Sequence, residues 1–145
     1  MRAISIKMGL WMLMGFVGFF LLAYLLGFGD RSELRVFNGV IHIYCLYLAL
    51  QSYHALHPES VSNYMSGVAL SLMTSVIGVI GFTLFMTIFL NLNPELMDNI
   101  RQHSQLGTYM NPFTSSLYIA AEGLIVSVVG AYILVRVMDM KVHKI

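Results

Sequence analysis

The sequence predicts an all-α fold: an integral membrane four-helix bundle with a short interfacial helix between the third and fourth spans. Three observations carry this. Four long apolar stretches, about 8–28, 36–56, 64–92 and 113–138, occupy most of the 145 residues. Each has the roughly 20 apolar residues that a helix needs to cross a bilayer core about 30 Å thick. The chain is 58% hydrophobic and only 10% charged, against about 25% charged in an average soluble domain.

Backbone groups must be paired inside hydrocarbon, so a span is either a helix or a strand of a closed barrel. Barrel strands alternate in polarity, whereas Phe19, Phe20, Leu21 and Leu22 are consecutive and all apolar. Helices are therefore expected, as one four-span transmembrane domain over 1–145. Arg2 and Lys7 before the first apolar run imitate a secretory signal, but a signal's apolar region is about 7–15 residues. The longer run predicts an uncleaved first helix.

The first and second spans are joined by a short turn around Gly29 and Asp30, which places them side by side. His57-Pro58 ends the second span, because the residue before proline is pushed out of the helical region. Ser60 or Ser62 is placed to cap the third. After it, Asn93 suits an N-cap and Pro94 the first helical position. Leu96, Met97 and Ile100 then fall on one face, opposite Asp98, Asn99, Arg101 and Gln102. That pattern predicts a short amphipathic helix lying in the membrane interface.

Arg2, Lys7, Arg136, Lys141 and Lys144 flank the termini, while Arg31, Arg35 and Arg101 lie in the first and third connections. The balance favours cytoplasmic termini. Tyr53, Tyr64 and Tyr109 suit interface belts. A net charge of +1 offers no basic stripe for nucleic acid. The expected partners are the lipid bilayer and either further copies of the chain or a membrane protein complex.

Lipid tails are as apolar as leucine, so helices in a bilayer associate through small residues and polar contacts. The third span supplies Gly67, Ser71, Ser75 and Gly78, and the fourth supplies Gly123, Ser127 and Gly130. These stripes predict that spans three and four form the closest pair, within one chain or across a dimer axis.

Glu122 is the acidic residue deep in a span, ten residues past Pro112 and so about 15 Å into the fourth helix. A carboxylate there needs a partner. His42, about 10 Å into the second helix, is expected at a similar depth, with Asn38 and Tyr44 nearby. Two readings follow. Glu122, His42, Asn38 and Tyr44 either form an interhelical hydrogen-bond site that fixes the helices, or a proton or ion site. A single carboxylate makes an incomplete proton path, which favours the structural reading.

Cys45, the lone cysteine, lies in an apolar span and reads as a small buried hydrophobe. His54 and His57 with Glu59 offer two imidazoles without a third firm ligand, so no metal site and no cofactor is expected. No nucleophile–base pair, phosphate loop or zinc-protease motif is present, and the chain is not expected to be an enzyme.

Lys7-Met8-Gly9, Ala49-Leu50-Gln51-Ser52-Tyr53, Tyr64-Met65-Ser66-Gly67 and Asn93-Pro94-Glu95-Leu96-Met97-Asp98 together resemble a family of small four-helix bacterial membrane proteins of unknown function. The resemblance implies a four-helix inner-membrane protein and no particular chemistry. The sequence thus points to a non-enzymatic structural or accessory membrane component. The alternative is a homo-oligomeric proton or small-ion transporter using a Glu122–His42 pair.

Overall fold

Five α-helices and no strand make up the described part of the chain, which in this computed structural model comprises residues 1–29, 31–58 and 64–142. They are α1 (Arg2–Leu25), α2 (Arg35–Leu56), α3 (Tyr64–Leu92), the short α4 (Pro94–His103) and α5 (Pro112–Val142). Among them α1, α3 and α5 are, by length and composition, apolar enough to cross a membrane. The remaining expected span, α2, does not meet that measure. There Asn38, His42, Gln51 and His54 dilute the helix, and His42 is turned into the protein interior.

The end of α1 is fixed by backbone chemistry. Gly27 adopts φ +80°. The Phe28 N–H then donates to the Ala23 carbonyl at 2.8 Å and the Gly27 N–H to Tyr24 at 3.0 Å. This is a Schellman closure, which needs a left-handed residue that only glycine supplies cheaply. A single 3-10 turn, Ser32–Leu34, leads into α2.

α3 is the spine of the fold, with its longest contacts to α5 and α1 on two of its faces. Its small residues divide between those faces. A Cβ on Gly67 would meet Val135 of α5 at 3.1 Å, whereas one on Gly78 would meet the Met12 sulfur of α1 at 2.6 Å. Gly81 likewise receives Leu13 of α1. On α5, Gly123 receives Val79 of α3 and Gly130 receives Ile43 of α2. α3 and α5 form the most extensive pair, as the stripes predict, but the same stripes also receive α1 and α2. α2 closes the arrangement against α1, α3 and α5.

Asn93 and Pro94 start α4, but the cap has no side-chain hydrogen bond. The Asn93 amide is used elsewhere: its N–H donates to the Phe89 carbonyl at 2.8 Å and its oxygen accepts from the Tyr24 hydroxyl at 3.4 Å. Leu96 and Met97 are buried in the main apolar cluster, and Ile100 packs against it. The apolar face of α4 thus seats on the protein. Arg101 ties the following loop by donating to the Met110 carbonyl at 2.7 Å and to Asp98 at 3.0 Å. Gly107 leaves the space that the Arg101 carbonyl occupies. The capping serines Ser60 and Ser62 lie outside the described residues.

Close helix approach predicts a graded response to added methyl groups. A Cβ on Gly9 would fall 2.7 Å from Ile77 Cβ and 3.0 Å from the Thr74 carbonyl, while Gly18 has nothing within 4 Å. Gly9→Ala is expected to cost about 1–3 kcal/mol of stability in detergent unfolding, as overpacked sites do. Gly18→Ala should be neutral or better. Equal effects of the two would contradict this arrangement.

Candidate functional site

His42 lies at the meeting point of four helices. It is 2% exposed, and its Nε2 is 2.9 Å from the Ser75 hydroxyl of α3 and 3.2 Å from the Ser127 hydroxyl of α5. Phe16 of α1 presents an edge contact to the imidazole at 5.7 Å between ring centroids. Ser127 also donates to the Gly123 carbonyl of its own helix at 2.7 Å. One imidazole thereby links α2, α3 and α5 by hydrogen bonds, with α1 closing the fourth side.

The expected His42–Glu122 pair does not form. Glu122 instead faces Arg35, at the start of α2, with the carboxylate 3.7 Å from the guanidinium. The reason is azimuth. Ser127 follows Glu122 by five residues, so at about 100° per residue the two side chains leave α5 about 140° apart. His42 engages the Ser127 face and cannot also engage Glu122. The expected depth is off as well: Ser127, which His42 engages, lies about 7.5 Å beyond Glu122 along α5, more than one turn. Tyr44, expected near the site, is 61% exposed on the outer face of α2.

Above His42 the helices part. A cavity of about 620 Å³ lies between α1, α2, α3 and α5, beneath the first and third connections. Its two walls differ in chemistry. Phe16, Phe20, Phe82, Met86 and Leu90 from α1 and α3 make an apolar, largely aromatic wall. Phe16 and Phe82 sit 5.4 Å apart, and Phe20 and Phe82 meet edge to face at 6.4 Å. The opposite wall, from α2 and α5, carries Arg35, Asn38 and Glu122, with His42 at the base. The Asn38 side-chain oxygen is buried and has no hydrogen-bond partner.

The roof combines Phe28 and Arg31 with His103 to Leu106 and Met110. The Arg31 guanidinium lies 5.0 Å from the centre of the Phe28 ring, a cation–π distance. Ser115 contacts the sulfurs of Met110 at 3.3 Å and Met97 at 3.8 Å, holding α4 and the loop against α5. Beneath His42 the interior is sealed. Met12, Leu46, Ala49, Leu50 and Leu70 are fully buried; Met12 and Leu46 come one turn beyond Phe16 and His42 along their helices.

Sequence reasoning identified His42, Asn38 and Glu122 and missed Arg35, Ser75 as a hydrogen-bonding residue, and the aromatic wall. Arg35 was legible as an opposite charge entering from the same end as α5. The wall needs the relative rotation of α1 and α3, which no single-helix pattern carries. Of the weaker metal candidates, His57 stacks on Tyr53 at 4.9 Å, and Glu59 lies outside the described residues. Ser71 and Ser75 are fully buried on α3, and Cys45 is buried.

No described protein family, no curated protein and no solved structure matches this chain.

The geometry predicts that His42 is the costliest polar position to remove. His42→Ala deletes both interhelical contacts and leaves a void, with an expected loss of about 2–4 kcal/mol in detergent unfolding. Ser127→Ala leaves the Ser75 contact in place and should cost below about 1 kcal/mol, the usual scale of interhelical bonds in membrane proteins. Similar losses from the two variants would show that the imidazole does not organise the helices.

Proposed function

We propose that this chain is a four-span protein of the bacterial inner membrane, with α1, α2, α3 and α5 as the spans and both termini cytoplasmic. We further propose that it works as a non-enzymatic accessory component, binding a small apolar molecule drawn from the bilayer. The observation that carries this is the cavity of about 620 Å³, within the range of sites that enclose small ligands. Its mostly apolar lining with a few convergent polar groups is the usual composition of such sites.

The membrane reading rests on three helices of adequate length and apolarity. It also rests on large apolar side chains exposed along them, among them Leu22, Leu84, Ile88, Ile125 and Val128. α2 fits as the fourth span because His42, its most deeply set polar residue, is directed inward and satisfied by Ser75 and Ser127, as hydrocarbon requires.

The ion-transport alternative is less well supported. A proton route from Glu122 would have to continue past His42, where Met12, Leu46, Leu50 and Leu70 are fully buried and the polar groups at that level are the buried hydroxyls of Ser71 and Thr74 rather than titratable side chains. The cavity has the form of a blind pocket.

Two measurements test the proposal. Chain reconstituted in nanodiscs should bind the apolar dye Nile red saturably, at one site, and Gly39→Leu, at a cavity-lining position where an added Cβ meets nothing within 4 Å, should weaken that site while the thermal midpoint is unchanged. Proteoliposomes should show no proton flux. Absence of saturable dye binding, or a flux that Glu122→Gln abolishes, would overturn the binding reading.

A further inference from the structure

Facing stripes of α2 and α5 form a seam whose upper and lower parts differ in chemistry. Arg35, Gly39, Ile43 and Tyr47 recur at a spacing of four on α2, and Glu122, Val126, Gly130 and Leu134 do so on α5. Residues four apart share a helix face. The stripes meet where Arg35 pairs with Glu122 and again where Ile43 enters the space over Gly130. Along the outer side of the seam runs an apolar groove, lined by Val36, Gly39, Val40 and Tyr47 of α2 and by Val126 and Leu134 of α5. Gly39 widens it, since a Cβ there would meet nothing within 4 Å.

The groove ends in charge. Arg35 and Glu122 come one turn before Gly39 and Val126 on the same helix faces. Their side chains are 33% and 47% exposed, so both are open to a ligand from outside. At 3.7 Å they form an ion pair rather than a hydrogen bond. The guanidinium therefore retains N–H donors and the carboxylate retains acceptor oxygens. Depth fits as well. α2 has 22 residues and is about 33 Å long, close to the thickness of a bilayer core. A spanning α2 sets Arg35 at the edge of the hydrocarbon. From Arg35 to Tyr47 the stripe covers about 18 Å, close to the depth of one leaflet.

We propose that this groove holds one phospholipid with a primary ammonium head. Its acyl chain lies along Gly39, Val126 and Leu134, its phosphodiester accepts from Arg35, and its ammonium donates to Glu122. The four charges then alternate around a ring, and the Arg35–Glu122 pair need not separate. Such contacts are charge-assisted hydrogen bonds, stronger than neutral ones. An anionic head brings its phosphate to Arg35 but leaves Glu122 facing added negative charge. A quaternary ammonium has no N–H to donate. This lipid is additional to the cavity's ligand, and its site rests only on the membrane placement of α2 and α5 proposed above.

Native mass spectrometry of the full chain in detergent micelles tests this. The probes are equimolar palmitoyl-oleoyl phosphatidylethanolamine, phosphatidylcholine and phosphatidylglycerol. They share acyl chains, so the ratio of their adducts reads the head alone. One lipid should be retained per chain, with phosphatidylethanolamine about fivefold above either of the others, the upper scale of one half-exposed charged contact. Glu122→Gln, checked for an unchanged thermal midpoint, should bring phosphatidylethanolamine down to the level of phosphatidylcholine and leave phosphatidylcholine as it was. A purely structural ion pair would change all three lipids alike. The wild-type ratio decides the matter even if that variant fails to fold. Equal retention of the three, or a preference for phosphatidylglycerol, overturns recognition of the ammonium. No retained lipid, or a lipid-free dimer with a second copy in the groove, overturns the site itself. In each case the membrane reading stands as long as the chain stays in the membrane fraction through an alkaline wash; release by that wash takes both down.

Discussion

Every polar side chain set deep among apolar helices must find its partner inside the protein, and His42 is where this chain meets that demand. Its Nε2 lies within hydrogen-bond distance of serines on two other helices. Those contacts fix the rotation of α2 against α3 and α5 together. Once Ser127 is turned toward His42, Glu122 must leave α5 on a different bearing, where Arg35 is within reach. The side chains of the polar wall therefore follow from one imidazole's choice of partners. The closely packed layer beneath and the cavity above meet at the same residue.

Small residues let the backbones come close enough for this to happen. Gly78 and Gly81 admit Met12 and Leu13 of α1, and Gly123 admits Val79. These approaches are what dispersion forces need when the surroundings are as apolar as the core. Where α1 and α3 carry aromatic rather than small residues, from Phe16 to Phe20 and from Phe82 to Phe89, the rings pack on one another and leave one flank facing the cavity. α4 and the loop after it roof the space, held by Leu96 and Met97 from below and by the Arg101 contacts from the side.

Much of this was legible in the residues. Apolar length marked the long helices, and Asn93-Pro94 marked the start of α4. What failed was direction and offset. A helix repeats every 3.6 residues, and counting along one helix gives neither its bearing nor its axial offset against its neighbours. Hence Glu122 was assigned the wrong partner, and Gly78 was assigned to α5 when it receives α1. The amphipathic face of α4 was read as facing lipid because the pattern is the same whether Leu96 and Met97 enter a membrane or a protein core. The cavity could not be seen at all, since it is the gap left by four helices and belongs to none of them.

The central claim is that a polar-walled pocket ends at His42 above an apolar seal. Single cysteines in a Cys45→Ala background test it most directly, using a small membrane-impermeant thiol reagent applied to either side of sealed vesicles. The account predicts that Asn38→Cys is labelled from the side of the first and third connections only, and that Ala49→Cys is labelled from neither side. Labelling at position 49, or labelling of position 38 from the side of the termini, would contradict it.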